Sequence, residues 1–187
     1  MAARQKTLLP PFTVDGLLPP GTYQLTLDQL RDSHLVRKAT YLSDWDEPWR
    51  GHLVDNLEIL ARQLWDCGIQ DVYVDGSFVE DKPRPNDIDG YFSVDLAYFI
   101  SRRLEQDLNA RDPRKSWGWL EQSRREDPDS GKKQLPQWFE YSVELYPHYH
   151  QSSGILDEHG NEQRFPAAFR KSRRENKPKG IIRLIPD

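Results

Sequence analysis

The stretch Asp71-Val72-Tyr73-Val74-Asp75-Gly76-Ser77-Phe78, followed by Pro85-Asn86-Asp87-Ile88-Asp89-Gly90-Tyr91-Phe92, constrains the chain most. A short β-branched and aromatic run stops at Gly76-Ser77, and a second run opens with two aspartates two positions apart. Side chains at i and i+2 of a strand share a face, so Asp87 and Asp89 project together while Ile88 and Gly90 turn the other way. Adjacent carboxylates repel unless a positive charge lies between them, and a hard divalent cation with oxygen ligands is the usual solution. Gly76 lets the backbone come close to a ligand, and Ser77 adds a hydroxyl beside exposed N–H groups, a natural seat for phosphate. A phosphate seat beside metal carboxylates predicts nucleotide, Mg²⁺ and phosphoryl chemistry.

The flanking segments predict the elements that would carry this site. Leu53, Leu57, Leu60 and Leu64 recur at helical spacing, so His52 to Cys67 reads as a helix, with Gly68 as its stop. Trp45, Pro48 and Trp49 fall in the acidic loop before it. Thr26 and Gln29 form a capping-box pattern, which starts a short helix near Leu27. Ser93 or Asp95 can cap a helix whose stripe is Leu96, Phe99, Ile100, Leu104 and Leu108. Trp138 to Tyr146 alternates, with Phe139, Tyr141, Val143 and Leu145 on one face and Glu140, Ser142, Glu144 and Tyr146 on the other. The acidic face of that strand would join Asp87 and Asp89, with Glu144 or Glu140 as a third carboxylate. Asp157 to Asn161 reads as a turn between two extended pieces, and Gly180 to Ile185 as a last strand at a sheet edge.

Composition bounds the setting. A chain of 187 residues can bury a core as one domain, with 1–22 as an extended arm, 111–134 as a charged loop and 164–180 as a basic segment. The single Cys67 excludes a disulfide framework and a Cys-rich zinc site, and suits a reducing cytosol. No apolar run approaches membrane-spanning length, so a cytoplasmic protein without a membrane partner is expected. The net charge of −4 hides an asymmetry: Arg164 to Arg183 carries eight basic residues against Glu175. A basic segment on an acidic body suits a polyanion, either a nucleoside triphosphate or RNA. His148 and His150 are too few for a closed zinc shell.

Gly76-Ser77, a gap of nine residues and then Asp87-Ile88-Asp89 resembles the signature of the polymerase-β-type nucleotidyltransferase superfamily. The flanks, Leu18-Pro19-Pro20-Gly21 to Thr26 and Phe165-Pro166 to Lys179-Gly180, look like those of a small bacterial subfamily of nucleotidyltransferase-like proteins. The resemblance implies an α+β fold, a minimal nucleotidyltransferase domain with a mixed or antiparallel sheet, helices on one face and an open polar cleft on the other. It also implies that Asp87, Asp89 and a later acid, here Glu144, hold two Mg²⁺ or Mn²⁺ ions. A nucleoside monophosphate would then pass from a triphosphate to a hydroxyl of a protein, RNA or small-molecule acceptor. Gly76 and Ser77 would hold phosphates. Arg84, Lys171, Arg173 and Lys179 are further candidates for phosphate charge, chosen for their position and not from the family motif. Small members of this superfamily often belong to toxin–antitoxin or defence systems. The competing expectation is a catalytically silent module of the same fold, an antitoxin or an RNA-binding regulator.

Overall fold

The computed structural model describes residues 9–37, 44–156, 162–164, 167 and 169–187, with backbone alone at 152–156 and 162–164. Among them, five strands form one mixed sheet: β1 (Thr22–Leu25), β2 (Val72–Asp75), β3 (Ile88–Ser93), β6 (Val143–His148) and β9 (Ile181–Leu184). Their order is β1-β9-β2-β3-β6. The β1–β9 and β3–β6 pairs are parallel; β9–β2 and β2–β3 are antiparallel. The short pairs β4 (Arg125–Glu126) with β5 (Lys133–Gln134), and β7 (Ser152–Leu156) with β8 (Glu162–Arg164), stand apart from it. The turn expected at 157–161 lies outside the described residues. The fold is α+β, with helices α1 (Leu27–Asp32), α2 (Glu47–Asp66), α3 (Leu96–Ile100), α4 (Arg103–Arg111) and α5 (Pro136–Tyr141).

Strand alternation sorts the sheet into two unlike faces. Val72, Val74, Ile88, Phe92, Val143, Leu145, Ile182 and Leu184 join the buried side chains of α1, α2 and α4 in one apolar cluster. From α2 it takes Leu53, Val54, Leu57, Leu60, Ala61 and Leu64, the stripe expected from the sequence. The opposite face carries Tyr73, Asp75, Asp89, Tyr91, Glu144 and Tyr146 in matched register. It is not open across its width. Tyr91 is buried, stacked on Tyr73 at 4.6 Å, with Phe169 of the basic segment 5.1 Å away.

Four local expectations change. Helix α2 begins earlier than His52, because Asp46 caps it through the Trp49 N–H and Pro48 occupies a position where no N–H is needed. Pro48 and Trp49 are therefore helical. The helix after Asp95 is broken by Arg102, at φ 60°, so α3 leaves Leu96 and Ile100 exposed while α4 buries Leu104 and Leu108. Trp138 to Tyr141 is helical, since Pro136 opens a turn that closes at Ser142 with φ 52°. Finally, β9 is an interior strand between β1 and β2, not an edge.

Thr26 does cap α1 with the full capping box, and Asp95 caps α3 through the Tyr98 N–H. The segment after Gly76 is a single 3-10 turn, Gly76–Val79. It is pinned from both sides. Leu18 N–H donates to Val79 O, and Asp81 N–H to Gly16 O. From α2, the fully buried Arg50 donates to Phe78 O at 2.5 Å, Lys82 O at 3.1 Å and the carbonyl of Leu35.

Candidate functional site

Sheet register does the assembling. Asp75 on β2 pairs with Asp89 on β3, and Asp89 pairs with Glu144 on β6, so three adjacent strands place one carboxylate each in a single cross-strand row. Asp87, two residues before Asp89, adds a fourth just ahead of β3. Glu140, the other candidate for the third acid, lies on α5 and faces Arg125 and Arg114. Glu144 is therefore the one that joins the row. The sequence pattern missed Asp75, because its membership depends on β2–β3 register and not on local spacing.

Three of these four acids have no paired cation: no lysine or arginine forms an ion pair with Asp87, Asp89 or Glu144 among the described residues. Burial, then the charges of Asp87 and Glu144, push the Asp89 carboxyl up to about 7, against the pull of Arg173. Burial also raises Asp87, offset by the Trp138 hydrogen bond and by Lys82, Arg173 and Lys132. Glu144 is raised by burial and held down by its two donors, Leu135 N–H at 2.5 Å and Tyr146 O–H at 2.9 Å. Asp75 is pushed up to about 6 by burial, with Lys179 opposing.

Gly76 has φ +71°, and a Cβ built there would fall on Asp89 Oδ2. The glycine is thus required twice, by its backbone and by the carboxylate that leans on it. Ser77 is half-buried in the 3-10 turn next to it. Lys179 also reaches Gly76, but from the buried side. Its ammonium donates to Gly76 O at 2.7 Å and Glu80 Oε1 at 3.0 Å, and lies 3.3 Å from Asp75 Oδ1. It is occupied as a pin for the bend, which corrects the expectation that it meets phosphate.

Of the other basic candidates, exposed Arg173 attracts Asp87 and Asp89 and so flanks the row. Arg84 is held by Asp46 and lies over the Trp49 ring, 4.3 Å from its centroid. Lys171 is placed by a backbone bridge to Pro178, and among the described residues no contact ties its side chain to the row. Lys82, Lys132 and Arg124, which acts on Glu144, complete a basic rim that the sequence did not single out. They come from three separate loops, so no motif connects them.

An open pocket at the far end of β3 is lined by Cys67, Asp71, Ser93, Asp95, Tyr98, His148 and His150. Its acids are already employed, Asp71 by Arg183 and Asp95 as the cap of α3.

A protein-family model described as "Family of unknown function (DUF6932)" matches residues 10–185. The chain belongs to that family. No curated protein and no solved structure matches it. In this DUF6932 member the carboxylate row, the glycine bend and the third acid all fall inside the matched span.

Proposed function

We propose that the chain is a metal-dependent nucleotidyltransferase of the polymerase-β type, moving a nucleoside monophosphate from a triphosphate to an acceptor hydroxyl. The observation that carries this reading is the register that sets Asp89 beside Glu144, with Asp87 two residues away and no cation paired to any of them among the described residues. A floor of carboxylates with raised proton affinity is costly in a fold that has no use for it.

The residues fit Mg²⁺ or Mn²⁺. Among the described residues no three acid, histidine or cysteine side chains form a ready-made cage. Mg²⁺ needs none, being held by one or two carboxylates together with substrate phosphates and water. Asp87 and Asp89 would hold it, and Glu144, both of whose oxygens accept hydrogen bonds, would act on it through bound water. When bound, the ion supplies charge neutralisation and a more acidic acceptor hydroxyl.

The chain's own residues then bind and orient. The bend at Gly76-Ser77 seats the phosphates, held in place by Lys179 beneath it, and Arg173, Lys82, Lys132 and Arg124 offset triphosphate charge from the rim. In the transfer, the acceptor oxygen forms a bond to the α-phosphorus while the bond to the pyrophosphate oxygen breaks. Pyrophosphate leaves, and the hydroxyl proton passes to solvent. Positioning and charge account for the rate.

The capping of both Glu144 oxygens favours a second reading, a module that binds metal and nucleotide without transfer. One experiment separates the two. Labelled nucleoside triphosphate is incubated with Mg²⁺ or Mn²⁺ and wild type or Asp89→Ala, and both bound and covalently transferred label are measured. Binding and transfer that vanish in the variant support the enzyme, and binding alone supports the module. If wild type binds no triphosphate, both readings fail.

A further inference from the structure

The first turn of α5 touches the carboxylate floor at two points on two different elements. Leu135 N–H, at the start of α5, donates to Glu144 Oε1 at 2.5 Å. Trp138 Nε1–H, one turn on, donates to Asp87 Oδ2 at 2.8 Å. Between them, Gln137 Oε1 accepts from Leu145 N–H at 2.9 Å, which locks the turn to the strand that carries Glu144. The chain has six tryptophans. The indoles of Trp45, Trp49 and Trp119 donate to backbone carbonyls, and that of Trp117 to the Gln63 amide. Among the described residues, only Trp138 donates to a carboxylate.

We propose that Trp138 is a positioning residue for cation binding: its indole N–H holds one oxygen of Asp87 and leaves the other for the metal. Because the same helical turn holds Glu144, α5 fixes how far apart the two carboxylates stand. Without the indole, Asp87 is free to rotate about its side-chain bonds, and ordering it falls to the incoming ion. Outer donors of this kind typically change metal affinity by about 10- to 100-fold. The residue lies in a segment whose alternation suggests a strand; in the structure it belongs to α5, and the helical turn from Pro136 carries its indole to Asp87.

The inference rests on the metal-binding reading above, and its test separates the two. Mn²⁺ binding to the full chain is measured by calorimetry for wild type and Trp138→Phe. In parallel, the assigned indole N–H resonances of ¹⁵N-labelled wild type are followed through a Mg²⁺ titration. The expected result is a Kd for Mn²⁺ at least fivefold weaker in the variant at unchanged stoichiometry. The Trp138 resonance should also shift along the binding curve, with the other five indoles moving less. A Kd changed by less than fivefold, or a Trp138 resonance that stays still while Mg²⁺ saturates the protein, overturns the positioning role and leaves the metal site standing. If wild type binds neither ion, the metal reading falls and this role with it. Should Trp138→Phe fail to fold, the indole titration on wild type decides alone.

Discussion

Asp89 binds its proton more tightly in the folded chain than in the unfolded one, where a carboxyl titrates near 4. Without metal, its charge therefore costs stability above about pH 7, and that cost fades as pH falls toward 4. Asp89→Asn removes the charge. In chelator at pH 8 the variant should be more stable than wild type by about 2 kcal/mol, a Tm higher by roughly 6 °C. The gain should shrink steadily and close near pH 4; an equal or lower Tm at pH 8 would contradict the buried, uncompensated charge. Gly76→Ala tests the neighbouring contact. A left-handed backbone and a displaced Asp89 should together cost about 2 kcal/mol by urea denaturation and abolish Mn²⁺ binding. At this scale the sequence said much: the bend and the pair at 87 and 89 follow from spacing alone. It did not say that Asp75 joins them or that Lys179 lies beneath, since both facts depend on which strand lies beside β2.

Whole elements were readable where one force dominates. The stripe of α2 is long enough to show its period, and the caps at Thr26 and Asp95 are local hydrogen bonds. Where two patterns compete, periodicity misleads. Phe139 and Tyr141 alternate with Val143 and Leu145, yet Pro136 and the left-handed Ser142 divide the run into a helix and a strand. The bend region shows how elements depend on distant anchors. Arg50 lies on α2, but its donors end on carbonyls at 35, 78, 80 and 82, with Trp45 and Phe78 rings against the guanidinium. Burial pulls its pKa down to about 9, and no carboxylate partners it among the described residues. Arg50→Leu leaves several buried carbonyls without donors. We expect a loss of about 3 kcal/mol in urea unfolding, with the 76–82 segment exchanging its amide protons faster than the sheet does. A change under about 1 kcal/mol would mean that the arm and Lys179 suffice to hold the bend.

For the molecule as a whole, the acids, the bend and the rim come from segments scattered between Asp75 and Arg173, so ligand should be felt globally. Mg²⁺ with a nucleoside triphosphate at roughly 100 times its Kd should add about 2.7 kcal/mol to wild type and nothing to Asp89→Ala. Thermal unfolding with and without the pair of ligands measures this, and equal shifts in both proteins would place the nucleotide elsewhere. Sheet order was the least readable feature, since no local pattern tells that β9 lies inside while β1 takes the edge. That order has a consequence for how the protein is made. On a ribosome, β1 and the arm before it emerge early, yet the neighbour that β1 requires is delivered only when residues 181–184 arrive. Until then the nascent chain leaves the edge of β2 that β9 will cover without its partner. Any cut that removes the closing strand deprives two others at once.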